Sequence, residues 1–169
     1  KLRAIPVSSM LFATLLLGAC ASTPPAPGAG AQVDARSGST VSGNVTFSDL
    51  GGAVQVDAKF AGLTPGEHGF HVHEAGDCSA ADASSAKGHY NPAGQRHGHH
   101  DSKVRHGGDM PNLVANAQGE ARLSAELKDL TVSELVGRSV VVHADPDDYM
   151  SQPAGNSGKR IACGVIAAR

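Results

Sequence analysis

Residues 53–65 read Ala53-Val54-Gln55-Val56-Asp57-Ala58-Lys59-Phe60-Ala61-Gly62-Leu63-Thr64-Pro65. Apolar side chains take alternate places, Val54, Val56, Ala58 and Phe60, against polar Gln55, Asp57 and Lys59. A period of two sends the two sets to opposite faces of an extended chain, so the stretch predicts a strand with one buried face. Gly51-Gly52 before it and Pro65-Gly66 after it are turn signals. Working outward, Ala31, Val33 and Ala35 alternate with Gln32, Asp34 and Arg36, and Val41, Val45 and Phe47 follow. On the other side, strands are predicted over 68–73, 113–116, 121–127, 139–143 and 161–167, separated by glycine-rich turns and with no long amphipathic helical window. The pattern predicts an all-β sandwich or barrel. Two stretches, 74–111 and 144–159, are long, polar and without strand period. Long ordered loops on a β scaffold usually carry function.

The chain has 169 residues and a mass of 17.1 kDa, which suits one domain with a tail. Hydrophobic residues at 40% and charged residues at 18% exclude a highly charged disordered chain and a polytopic membrane protein. With 14 Lys+Arg against 16 Asp+Glu, no bulk attraction to nucleic acid is expected. Residues 1–19 carry Lys1, Arg3 and the apolar run Met10 to Leu17, and read as a secretory signal peptide. Leu17-Gly18-Ala19 before Cys20 is similar to the lipobox of bacterial lipoproteins, which makes Cys20 an expected acyl anchor. Ordinary cleavage near Ala19 or Ala21, leaving an incidental cysteine, is the alternative. Residues 20–30 are rich in Pro, Ala and Gly and read as a solvated tether to a domain over 31–169. Loss of Lys1 and Arg3 with the signal takes the formal charge from −2 to about −4.

All 9 histidines fall between His68 and His143. His71-Val72-His73 lies in a strand pattern, where residues two apart share a face and can share a metal. An isolated pair of this kind is more often a pair of exposed histidines, but His89, His97, His106 and Asp109 follow in a glycine-rich loop. Three imidazoles and a carboxylate form a zinc-compatible tetrahedral set. His143 ends the apolar run Val140-Val141-Val142, from which it could return to the first metal edge. An all-imidazole tetragonal site suits copper.

Five blocks occur in order: His68-Gly69-Phe70-His71-Val72-His73-Glu74-Ala75-Gly76-Asp77-Cys78, Gly88-His89-Tyr90-Asn91-Pro92, Arg105-His106-Gly107-Gly108-Asp109, Val140 to His143, and Arg160-Ile161-Ala162-Cys163-Gly164-Val165. Together they resemble the copper/zinc superoxide dismutases over about Ala31 to Ala168, with eight residues from His89 to His97 and nine from His97 to His106. The resemblance implies a Greek-key β-barrel or sandwich, immunoglobulin-like, with two long functional loops. It implies one copper per subunit on His71, His73, His89 and His143, and one zinc on His89, His97, His106 and Asp109, with His89 as the bridge. It further implies that Asp147 joins a copper-ligand histidine to a zinc-ligand histidine, and that His68 is a buried structural residue bonded to backbone. Cys78 and Cys163 would form a disulfide, and Arg160 would stand beside the copper.

The activity so implied converts two superoxide anions and two protons into dioxygen and hydrogen peroxide, with Arg160 and His89 as catalytic residues. Steering residues beyond Arg160 are not assignable, because the segment from His143 to Arg160 is short and Lys159 is its one lysine. His99 and His100 are left over and are expected to be an exposed, solvated pair, with an accessory metal-capture site as the alternative. The export signal and the position of Cys78 resemble bacterial members. A cell-envelope location, periplasm-facing or at the cell surface, is therefore expected, with membrane attachment through Cys20 and protection of the envelope as the role. A homodimer is left open. The alternative function is a non-catalytic periplasmic copper/zinc-binding or metal-delivery domain.

Overall fold

The computed structural model describes Lys1 and residues 28–169. Nearly all of the expected signal peptide, Cys20, and the tether as far as residue 27 lie outside the described residues. The described residues form ten strands in chain order: β1 (Gly28–Ala35), β2 (Ser42–Asp49), β3 (Ala53–Ala61), β4 (Gly66–His68), β5 (Phe70–His73), β6 (Leu113–Ala115), β7 (Ala121–Lys128), β8 (Ser139–His143), β9 (Arg160–Val165) and β10 (Ala167–Ala168). Among the described residues the helical content is one 3₁₀ turn at Ser84–Ala86 and one α-turn, α1, at Val132–Leu135. Among the described residues no helix is long and apolar enough to cross a membrane.

The strands run β4-β6-β7-β3-β2-β1-β9-β8-β5, with β10 on β1, and every pairing is antiparallel. Gly69 alone separates β4 from β5, so the two ends of this path are covalently joined and the barrel is nearly closed. β3 shows why the alternation works. Val54, Val56, Ala58 and Phe60 are buried in the barrel core, while Asp57 and Lys59 face solvent. The same core takes Val33, Val45, Phe47, Leu113 and Leu127, and Phe60 meets Phe70 edge-on at 5.5 Å.

Two boundaries differ from those expected. The stretch 68–73 is not one strand: β4 pairs with β6 and β5 with β8. Between them Gly69 donates its N–H to Asp145 O and accepts from His143 N–H, which turns the chain from one side of the barrel to the other. At the N-terminus β1 begins at Gly28, so Gly28-Ala29-Gly30 are strand and not tether. Ala29 and Gly30 pair with Phe47 and Thr46 on one side and with Ala168 and Ala167 on the other, and Ala29 lies in the core. Small residues that read as spacer fit here because β10 and the Arg169 side chain run close to Gly30.

Candidate metal centre

β5 is buried on both faces. Phe70 and Val72 point into the barrel core, and the alternation sends His71 and His73 to the outer face. That face is closed by the segment between β5 and β6, which returns along the free edge of β5. Tyr90 N–H donates to Val72 O, Val72 N–H to Gly108 O, and Gly108 N–H to Tyr90 O. A side chain on Gly108 would strike Val72 O, so glycine is what lets the loop approach this closely. The crossings set His89 opposite His73 and Asp109 opposite His71. On the other side of β5, the pairing with β8 brings in His143, and a register shift after Val142 sets His143 beside Arg160 of β9.

The result is two groups of side chains that could each hold a metal ion. His71, His73, His89 and His143 form one, and His89, His97, His106 and Asp109 the other; all are buried, and within each group one ligand atom per residue lies within 4.8 Å of the rest. In the first group four ring nitrogens, His71 Nδ1, His73 Nε2, His89 Nε2 and His143 Nε2, are buried with no hydrogen-bond partner among the described residues. The opposite nitrogen of each ring is engaged. His71 Nε2 bonds Asp147 Oδ2 at 2.8 Å, His73 Nδ1 donates to Lys87 O at 2.9 Å, and His143 Nδ1 lies 3.4 Å from Gly158 O. His89 Nδ1 is 2.9 Å from Asp109 Oδ1. A bond on one nitrogen fixes the tautomer, so the lone pair sits on the other nitrogen, which is the metal-binding form.

The second group is built around Asp109 Oδ1, which lies 2.9 Å from His89 Nδ1, 3.0 Å from His97 Nδ1 and 3.5 Å from His106 Nδ1. His89 Nδ1 and His106 Nδ1 are 3.4 Å apart. A tetrahedral zinc with bonds of about 2.0–2.1 Å separates its ligand atoms by about 3.3 Å, so these spacings already fit that ion. Asp109 Oδ2 accepts the backbone N–H groups of Gly98 and His106, which fixes the carboxylate.

Asp147 ties the groups together, receiving His71 Nε2 on Oδ2 and His97 Nε2 on Oδ1, the latter at 2.9 Å. Burial and neighbouring imidazoles hold His73 and His143 well below the usual histidine range, and burial takes His89 down to about 4. Burial also opposes charge on His97, but the carboxylates of Asp109 and Asp147 on its two nitrogens prevail and push it up to about 9. Burial would raise Asp109 and Asp147, yet the imidazoles bonded to them hold both carboxyls well below their ordinary range.

Each residue singled out by sequence can now be placed. His68 is buried, with Nδ1 2.8 Å from His143 O and Nε2 2.9 Å from Thr64 O, a backbone-bonded role. Cys78 and Cys163 form a disulfide beside Ala83, Ala86 and Val141. Arg160 Nη1 donates to Ala83 O at 2.8 Å. The expectation of an exposed, solvated pair fails for His100, which is half-buried with Nδ1 shut away from solvent; His99 is exposed. Sequence reasoning missed Gln152, which accepts His97 N–H and donates to His97 O, and Asn112, which clasps the Asp147 backbone in the same two-way manner. It also missed Lys87 and Gly158, which act through carbonyls that no motif records.

The family described as copper/zinc superoxide dismutase (SODC) matches residues 41–166. The chain belongs to that family. It is 43% identical over 136 residues to a protein named "Superoxide dismutase [Cu-Zn]" from Paramecium bursaria Chlorella virus 1, covering 75% of this chain and 72% of that protein. It is 41% identical over 135 residues to "Superoxide dismutase [Cu-Zn] 2" of Aquifex aeolicus (strain VF5), covering 75% and 79%. A solved structure titled "Crystal Structure Analysis of the clock protein EA4" superposes with a TM-score of 0.76 at 37% identity, over 86% of this chain and 97% of that one. As a copper/zinc superoxide dismutase, the chain is an oxidoreductase that acts on superoxide and uses copper and zinc. The unpartnered imidazole nitrogens and the zinc-sized spacing of the second group fit those two ions.

Proposed function

We propose that His71, His73, His89 and His143 hold the copper, that His89, His97, His106 and Asp109 hold the zinc, and that superoxide is dismutated at the copper side. The convergence of four buried, unpartnered ring nitrogens carries this reading, because leaving such groups without a ligand costs free energy that a metal recovers. When bound, copper supplies the one-electron exchange, and zinc supplies fixed charge and order without changing oxidation state.

The chain's own groups do the rest. Lys87 O and Gly158 O orient His73 and His143 so that both present Nε2. His89 faces both groups, Nδ1 toward Asp109 and Nε2 toward the copper ligands. In the cycle His89 Nε2 takes up one proton and delivers it to the departing peroxide, while solvent supplies the second. Two superoxide anions and two protons thereby give one dioxygen and one hydrogen peroxide. Arg160 holds a permanent positive charge beside His143, tethered at Ala83 O, where it draws a small anion to the copper side.

His73 belongs to the copper group alone, which separates the two sites experimentally. His73→Gln is expected to lose copper and turnover while keeping zinc, as read by metal analysis of the purified protein. Retention of copper and activity together would contradict the assignment.

The location belongs to the same proposal. Cys20 would carry an acyl chain and hold the dismutase in the cell envelope, facing the periplasm or the cell surface, where it would remove superoxide before it damages envelope components. The lipobox-like Leu17-Gly18-Ala19-Cys20 supports this. Cys20→Ala is expected to move the protein from the membrane fraction to the soluble fraction; continued membrane association would overturn the acyl anchor.

A further inference from the structure

The metal centre absorbs six histidines and His68 serves the fold, which leaves His99 and His100. They follow the zinc-group residue His97 by two and three positions but turn away from it, onto the surface beside Tyr149. The two rings lie 4.1 Å apart between centroids at an interplanar angle of 36°. The Tyr149 ring packs edge-on against His99 at 4.7 Å and lies 6.4 Å from His100. Tyr149 is itself fixed, accepting Asn112 N–H on its hydroxyl at 2.8 Å and donating its own N–H to Asp147 Oδ1 at 2.7 Å. The pair is therefore held by an element anchored to the Asp147 loop, unlike two histidines moving freely in water.

Asp101 completes the arrangement. Its backbone N–H donates to His99 Nδ1 at 3.2 Å, a bond that sets the His99 ring against the Asp101 side and that a cation taking this nitrogen would displace. His100 Nδ1 is buried with no partner among the described residues, and Nε2 lies 3.3 Å from Asp101 Oδ2. That separation is the edge of a tetrahedral coordination shell with bonds of about 2.0–2.1 Å. One ligand atom from each of His99, His100 and Asp101 lies within 4.8 Å of the others.

We propose that His99, His100 and Asp101 form a surface site for a borderline divalent transition cation such as zinc(II), separate from the buried pair of metal groups. Two imidazoles and a carboxylate on one side of an ion match the preference of zinc, and the open side leaves room for water or an exogenous ligand. Two imidazoles packed beside Tyr149 and one exposed carboxylate bind more weakly than the buried four-residue groups and release more readily. The site is suited to exchangeable zinc at the mouth of the zinc-bearing loop.

The test uses copper- and zinc-loaded protein, cleared of loose ions by gel filtration and titrated with zinc(II) by calorimetry at fixed pH. H99Q/H100Q and D101N, loaded in the same way, run beside it. The wild type is expected to take up an additional equivalent of zinc, the double variant to take up none, and D101N to bind it about tenfold or more weakly. The visible absorption of bound copper is expected to be the same in all three, which shows that the buried groups are undisturbed. No additional zinc in the wild type, or undiminished uptake by the double variant, overturns the site. Unweakened binding by D101N overturns Asp101 as its third ligand.

Discussion

Asp147 receives His71 Nε2 on one carboxylate oxygen and His97 Nε2 on the other, so a single side chain orients one ring from each metal group. An asparagine there keeps the volume but offers one acceptor, and its NH₂ faces a ring N–H. Asp147→Asn is expected to weaken zinc binding by about 10–100-fold, measured by competition with a chromophoric chelator. Unchanged affinity would show that Asp147 does not position the ligands. In the proposed mechanism Arg160 acts through charge and not through orientation. Arg160→Ala is expected to slow superoxide removal by about tenfold at low ionic strength and to flatten its dependence on salt, because the local attraction for the anion is gone. A rate and salt profile equal to the wild type would remove Arg160 from the reaction. Asp147 was legible in the sequence only through its offset from His143, since a lone loop acid such as neighbouring Asp148 looks the same. The Lys87 and Gly158 carbonyls were not legible, because every residue carries one and only the folded loop decides which is used.

At the level of elements, strands with one wet face were readable, and those that needed tertiary bonds to define their ends were not. The 54–60 alternation became β3, and the strand expected over 139–143 is β8. The division of 68–73 into β4 and β5 depends on Gly69 meeting Asp145 and His143, residues far away in sequence. The turn α1 carries a capping box between Thr131 and Glu134, but four residues are too few to show a helical period. The loops themselves were found as breaks in periodicity, and two features hold them in place. The disulfide joins residues 85 apart, Cys78 and Cys163. Its removal as C78S/C163S is expected to cost about 4–5 kcal/mol in urea unfolding, from the freedom returned to the unfolded chain. A loss below about 1 kcal/mol would show that residual structure in the unfolded chain already confines this loop. Gly155 sits at φ 65°, and a Cβ there would strike Asp147 Oδ1. A Cβ there would also come within 2.8 Å of His97 Nε2, so Gly155→Ala should reproduce the zinc-binding defect of Asp147→Asn without replacing a ligand, and normal zinc affinity in that variant would contradict the packing argument.

Taken as a whole, the molecule is a nearly closed barrel whose core is filled from one face of each strand, which frees the outer face of β5 and β8 to carry histidines beneath the loops. The apolar alternation that builds the core and the His-x-His that begins the metal centre are the same period of two seen from opposite sides. Net charge says little about activity, because in the proposed mechanism one arginine beside His143 sets the local field, which a −2 total does not report. The most direct test is the rate of superoxide loss with the protein loaded with copper and zinc, beside the same protein stripped by a chelator. Catalytic removal by the loaded protein, absent after stripping and restored by returning copper, is the predicted result. Uptake of both metals with no metal-dependent removal of superoxide would contradict it.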